Sequence, residues 1–437
     1  MDIRIDNQNS AKEVSLKKKV LPISILSTSF FFEVINLFGA TFGVGSTGLP
    51  GSALKVGIYG FFAALTLALI STYFILDYLI YFSENKGLTN YVDLYQYIGG
   101  NKVKNFILVM FFLTNIGTLL FSSNTFNSLL SQVMKYCNLD IPFFNTNSLF
   151  FLFLILILMT PLNIKRKLEG FDWITYVSFV TAILVIILLF ITNANKYKYA
   201  FNDSVDFGKE INELGGFNIK YFVSAYFYCM FCFTIQPAYM EMYQMTPNKS
   251  VSNMRKTTIG FLIVMFIIYS FFGGLGCYAF SLRKDKLFEG DQFLNLFTQY
   301  GNPFVVICSL LMIFAAVACF LFTYKGTKEN IGLILFGEKY WKGNSDYNSI
   351  NSFLTFFIIA TTCFISGLFI VLEIKGLKII GYIVDLVCPL VFMILPLFAY
   401  YKVKKSIIAL VITLLNTVFL GYAFYSTISE IVGDMQK

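Results

Sequence analysis

The sequence predicts an all-α integral membrane protein of eleven transmembrane helices, with the first and sixth helices broken in mid-span. Three observations predict it. Of the 437 residues, 57% are hydrophobic and 13% charged, and the mean hydropathy is +0.69, a balance foreign to a water-soluble domain of this size. Runs free of Asp, Glu, Lys and Arg recur along the chain, each covering the ~20 residues a helix needs to cross a bilayer. Two of these runs are interrupted by glycine and proline in a way an uninterrupted helix would not tolerate.

The charge-free runs lie at 34–54, 56–76, 105–134, 141–164, 173–195, 221–240, 257–282, 292–324, 347–372 and 406–429, and an eleventh, 379–401, is interrupted only by Asp385. Ahead of them, residues 1–20 are polar and basic. They are expected to form a cytoplasmic N-terminal arm, with no cleavable signal peptide, before a single transmembrane domain over 21–437. With the N-terminus in the cytoplasm, the inner segments collect the larger share of the 33 Lys and Arg, including Lys17, Lys18 and Lys19, the Lys165-Arg166-Lys167 loop, and Lys402, Lys404 and Lys405. That is the arrangement the positive-inside rule favours. The net charge of +8 reflects this bias and gives no sign of a nucleic-acid partner; membrane lipid is the expected surroundings.

Span 1 contains EVINLFGATFGVGSTGLPGSALKVG, residues 33–57. Gly39, Gly43, Gly45 and Gly48 fall within ten residues, and each costs about 1 kcal/mol in a helix interior. A break here frees backbone N–H and C=O groups, which survive at membrane depth only beside a cavity or a ligand. Ser46 and Thr47 are placed to cap a second half-helix, with Pro50 in its first turn. The positive end of that half-helix suits a carboxylate. The competing reading is close helix packing through the Gly39-x-x-x-Gly43 spacing, which leaves the G-x-G and the proline unexplained.

Span 2 covers about 56–82. The stretch LTNYVDLYQYIGGN at 88–101 reads as an inner loop with a short interfacial helix. Spans 3, 4 and 5 are expected near 105–130, 148–163 and 172–193, and the loop at 194–219 carries a glycosylation sequon at Asn202. Span 6 reads YFVSAYFYCMFCFTIQPAYM, residues 221–240. Pro237 removes a backbone donor and leaves the Phe233 carbonyl unpaired, and Thr234 and Gln236 are polar in an apolar run. An ordinary proline kink is the alternative. Paired interruptions five spans apart are, however, the pattern expected of a transporter site. Spans 7 to 11 follow near 257–280, 303–324, 350–372, 377–400 and 406–428.

The chain has no histidine, which excludes Ser-His-Asp and Cys-His catalysis, HExxH metal sites and a histidine proton relay. No metal site, cofactor or enzymatic role is expected. Cys229-x-x-Cys232 has a redox-like spacing but lies in an apolar run without a second pair, and reads as two small core residues.

Ionisable residues within spans are the remaining signals. Glu33 lies three residues before Asn36. It is placed to bind a cation, to bind a substrate ammonium, to carry a coupled proton, or to serve as a structural carboxylate bonded to a neighbouring helix. Asp385, toward the outer end of span 10, is either a functional carboxylate or a solvated helix end. Asp77, toward the inner end of span 2, reads as snorkelled or cavity-facing.

Asn36, Gly43-Val44-Gly45-Ser46-Thr47-Gly48-Leu49-Pro50 and Gly57 together resemble the first-span signature of the amino acid/auxin permease family, N-x-x-x-G-x-G-x-x-x-L-P-x-A-x-x-x-G. FCFTIQPAYMEM, Pro247, Arg255-Lys256, Tyr269 and GGLGCYAF, within 231–280, are similar to the family's span-6 and span-7 order. YVDLYQYIGG at 91–100 and Pro396-Leu397-Phe398-Ala399-Tyr400 fit as well. The resemblance implies a LeuT-like fold, a 5+5 inverted repeat plus one helix, and secondary active transport of amino acids. It implies an amino acid substrate held by Asn36, Gly39, Gly43, Gly45, Ser46 and Thr47 of span 1 with Phe233, Thr234 and Gln236 of span 6, and coupling or gating by Glu33 and Asp385.

In the family's sodium-coupled branch a span-8 hydroxyl helps hold the cation, whereas Met312–Ala318 here has no Ser or Thr. This favours a proton-coupled or facilitative carrier of small neutral or cationic amino acids over a sodium symporter. An amino-acid sensor with a transporter fold is the alternative in another class; the short N-terminal arm argues against it. The plasma membrane and a vacuolar or lysosomal membrane both fit the sequence.

Overall fold

The computed structural model describes residues 30–88, 91–138, 172–200, 215–245, 250–281, 303–343, 347–371 and 387–435, with a few residues between 157 and 164. Every regular element among them is helical. In chain order these are α1 (Phe30–Thr41), a 3₁₀ turn (Val44–Gly48), α2 (Leu49–Val56), α3 (Ile58–Lys86), α4 (Tyr91–Tyr136), α5 (Asp172–Ala200), α6 (Ile219–Cys232), α7 (Gln236–Met245), α8 (Val251–Ser281), α9 (Pro303–Gly343), α10 (Tyr347–Val371), α11 (Leu395–Lys404) and α12 (Ile407–Met435).

Five helical stretches among the described residues are long and apolar enough to cross a membrane: Ile58–Lys86, Tyr91–Leu120, Val251–Tyr278, Val387–Lys404 and Ile407–Ser429. The α1–α2 pair, bent by 68°, makes a sixth. The expected count of eleven is not fixed by these helices. Most of the expected fourth span, the N-terminal arm, the Asn202 sequon and Asp385 lie outside the described residues.

The expected breaks are both present. α1 ends at Thr41 and α2 begins at Leu49; α6 ends at Cys232 and α7 begins at Gln236. The expected inner loop is a helix continuous with span 3 except at Gly100, where φ 71° and ψ −169° kink the chain. Span 10 carries a feature with no forecast: a π turn over Leu390–Ile394. A π turn shifts the hydrogen-bond register and frees a carbonyl. Here the hydroxyls of Tyr91 and Tyr95 donate to the Val391 carbonyl at 2.7 and 3.0 Å.

The core is one large cluster, including Phe38, Phe42, Phe61, Tyr226, Phe233, Tyr239 and Tyr269, all 0% exposed, with a smaller second cluster of α4, α9 and α10 side chains around Leu119, Tyr324 and Ile359. Several buried polar side chains are paired across helices, because an unpaired polar group is costly at membrane depth. Tyr226 of α6 lies within 3.0 Å of the Ser71 hydroxyl and donates to Asn416 Oδ1 of α12 at 2.8 Å, tying three helices at one point. Cys229 and Cys232 are buried and form no disulfide, as core residues should.

At the end of α3 that carries Lys86, side chains bridge four helices. Arg255 of α8 makes a bidentate contact with Asp77, at 2.5 and 3.1 Å. Tyr78 stacks on Tyr400 of α11 with ring centres 3.7 Å apart, Lys404 sits 4.7 Å over the Tyr81 ring, and Tyr243 of α7 donates to Glu84. Asp77 is thus half of an ion pair with Arg255.

Candidate functional site

The site begins with what ends α1. The Phe42 N–H makes a last helical bond to Phe38. Gly43 is extended, at φ −166° and ψ −148°, so any residue could adopt its backbone. The chain then tightens into the 3₁₀ turn, where the N–H and the hydroxyl of Ser46 both donate to the Gly43 carbonyl, at 3.1 and 2.8 Å. Ser46 thus satisfies an orphan carbonyl at the break and does not cap α2. The N-cap of α2 is Gly48, without a side-chain cap bond, and Pro50 occupies the first turn as expected. Ser46 and Thr47 are both buried, at 0% and 2% exposure.

The second break is built likewise. The Phe233 N–H bonds the carbonyls of Cys229 and Met230, and the Thr234 N–H that of Phe231. The Thr234 hydroxyl donates to Met230 O at 3.2 Å. Tyr269 of α8 donates to Cys232 O at 2.8 Å. Gln236 opens α7 with its Oε1 accepting from the Ile235 N–H at 2.9 Å. Its side chain is 0% exposed and its Nε2 has no hydrogen-bond partner among the described residues.

The two breaks touch. Tyr228 of α6 donates to the Gly45 carbonyl at 2.7 Å. Glycine is required by close approach at two positions. A Cβ on Gly48 would lie 2.1 Å from Tyr228 Oη, and one on Gly39 would lie 2.4 Å from the Thr175 Cα of α5. Gly39 therefore serves helix packing, the alternative that the Gly39-x-x-x-Gly43 spacing left open, while Gly43, Gly45 and Gly48 belong to the break. An aromatic wall flanks the junction: Phe42 stacks with Tyr269 at 6.5 Å and meets Phe272 edge-on at 5.6 Å, and Phe233 meets Tyr269 edge-on at 5.4 Å.

Upstream, Asn36 Oδ1 accepts from the Thr175 hydroxyl at 2.9 Å, and Glu33 Oε2 accepts from the Thr257 hydroxyl of α8 at 2.8 Å. Both carry bonds from neighbouring helices, and Glu33 is partly exposed while Thr257 is buried. On α9, Met312, Ala315 and Ala316 are buried and without hydroxyls, but Ser309, one turn earlier, is buried with its Oγ unpartnered among the described residues. The structure thus brings Asn36, Gly43, Gly45, Ser46, Thr47, Phe233, Thr234 and Gln236 into two adjoining segments and their immediate approach. Thr175, Tyr228 and Thr257 join them without a sequence forecast, and Tyr269, part of the span-7 resemblance, joins them through the Cys232 carbonyl. Other hydroxyls lie close by in the same spans, and only the fold tells these from their neighbours.

The architecture has solved counterparts. A sodium-coupled sialic acid symporter, in a substrate-bound outward-open state, matches with a TM-score of 0.54 at 13% identity, covering 94% of this chain and 92% of its own. MhsT in complex with L-phenylalanine matches with a TM-score of 0.55 at 13% identity, covering 91% and 98%. At such identities the likeness shows the fold, which is LeuT-like. No curated protein matches by sequence. The family model for the transmembrane amino acid transporter protein matches residues 27–430, which takes in both breaks and every described helix almost to its end. With the broken spans, their contact and this match together, the chain belongs to the transmembrane amino acid transporter family and is a secondary amino acid transporter.

Proposed function

We propose that this integral membrane protein moves small amino acids, neutral or cationic, by alternating access, holding the substrate where the two breaks meet. The contact of Tyr228 with the Gly45 carbonyl carries this reading, because it ties the span-1 break to the C-terminal end of α6, just before the span-6 break. The 3₁₀ turn and the positive end of α2 offer backbone donors to the substrate carboxylate. The span-6 break offers carbonyls of Phe233 and Thr234 to the ammonium, with Phe233 and the Tyr269 ring beside them. Asn36, Ser46 and Thr47 shape the span-1 side.

Coupling is proposed to run on protons through Glu33, or transport to be facilitative. Glu33 is a carboxylate in the first turn of α1 that bonds a hydroxyl of α8, so gain or loss of its proton alters an α1–α8 contact. Asp385 is proposed as an outer gate residue, and the N-terminus as cytoplasmic. The sodium-coupled neighbour keeps a sodium symporter as the second reading, and Ser309 is the hydroxyl on α9 that would favour it.

Proteoliposomes given an inward proton gradient, and separately a sodium gradient, test the coupling. Concentrative uptake of a labelled amino acid driven by protons and lost in Glu33→Gln, with equilibrium exchange retained, is the expected result. Concentration driven by sodium alone would overturn it.

A further inference from the structure

We propose that Gln236 reads the substrate's side chain, and that the preferred substrates are neutral amino acids whose side chains carry a hydrogen-bond acceptor, such as an amide or hydroxyl oxygen. This rests on the carrier reading above and narrows it. The Ile235 N–H is a donor 2.9 Å from one end of the Gln236 amide. A donor there demands the oxygen, which fixes the orientation of the amide and leaves its NH₂ as the free end. That NH₂ belongs to a side chain that is 0% exposed, stands at the first position of α7 beside the span-6 break, and has no hydrogen-bond partner among the described residues.

A buried amide donor without a partner is a free-energy cost that a ligand acceptor removes. The substrate's ammonium is itself a donor and cannot serve. A lysine- or arginine-like side chain is likewise all donors and adds a positive charge at the positive end of α7. The carboxylate is already matched by the 3₁₀ turn and α2. What remains on an amino acid is an acceptor on its side chain. A buried polar group held for that purpose also discriminates against the analogue lacking it, because the analogue leaves it unpaired again.

The test pairs near-isosteric amino acids in proteoliposome uptake: asparagine against leucine, and glutamine against methionine, with lysine as the cationic probe. The wild type is expected to half-saturate with the polar member at least ~10-fold below its apolar partner, with lysine the poorest. Gln236→Met keeps length and removes the amide. It is expected to bring the two members of each pair together by weakening the polar one more than the apolar one. A wild type that does not distinguish the members, or that prefers lysine, would overturn the assignment without any variant needing to fold. Equal loss of both members in Gln236→Met would overturn it as well, placing Gln236 on the common backbone or in the fold. Wild-type protein that moves no amino acid would overturn the carrier reading, and this inference with it.

Discussion

Adding one methyl group at Gly48 is expected to unlatch the two breaks. The backbone there, φ −93° and ψ −8°, accepts alanine without strain, so the effect of Gly48→Ala is steric alone. The new Cβ would lie 2.1 Å from Tyr228 Oη and 2.6 Å from Cζ, too close for either. The Tyr228 ring must swing away, and its 2.7 Å bond to the Gly45 carbonyl is lost. Leaving this part-buried carbonyl unpaired costs at most about 1–3 kcal/mol. Tyr228→Phe removes the same bond from the other side, so it is expected to cost a similar ~1–3 kcal/mol. Because both changes delete one interaction, the double variant should be about as stable as the worse single one. The coupling in the double-mutant cycle is then about as large as one single effect, well above the ~0.3–0.5 kcal/mol seen between independent sites. Denaturant unfolding of the four proteins in one detergent measures this directly. Additive losses, or Gly48→Ala as stable as the parent, would refute the contact between the breaks.

Other substitutions separate packing from binding. Gly39→Ala drives a Cβ into the backbone of Thr175, 2.4 Å from its Cα, and is expected to lower stability by several times the effect of Gly51→Ala, where nothing lies within 4 Å; thermal unfolding compares them. Tyr226→Phe strips a hydroxyl from both Ser71 and Asn416 and should cost ~1–3 kcal/mol, read by the same unfolding assay, with Asn416→Leu in that background giving little further loss. Arg255→Ala should cost no more than ~1 kcal/mol of stability, since the Arg255 and Asp77 side chains are 49% and 19% exposed. A larger loss would show that the pair is shielded from solvent in the membrane-embedded protein.

The fold was legible because hydrocarbon imposes a simple grammar. Charge-free runs mark spans, and a backbone that cannot stay helical must declare itself with glycine or proline, as at Gly43–Pro50 and Pro237. The partners of the freed groups were not legible. Thr175 lies 139 positions from Asn36, Tyr228 lies 183 from Gly45, and Thr257 lies 224 from Glu33. No local spacing links such hydroxyls to the groups they satisfy. Ser46 was read as a helix cap because Ser favours that position, yet the 3₁₀ turn puts the Gly43 carbonyl within its reach first and leaves Gly48 as the cap. The π turn at Leu390–Ile394 was invisible, as its register shift is stabilised by Tyr91 and Tyr95 from another span. Gln236 was visible as a polar residue in an apolar run; that its amide has a bound end and a free end needed the structure.

Counterflow tests the central claim most directly. Proteoliposomes are loaded with unlabelled amino acid, such as asparagine, and diluted into a trace of the labelled form with no ion or potential gradient. The account predicts a transient rise of internal label above its equilibrium level, stimulated by the internal substrate and lost in the Gly48→Ala and Tyr228→Phe variants to the extent that they disturb the junction of the breaks. Absence of counterflow in wild-type protein that still binds the same amino acid would contradict it and identify a sensor instead of a carrier.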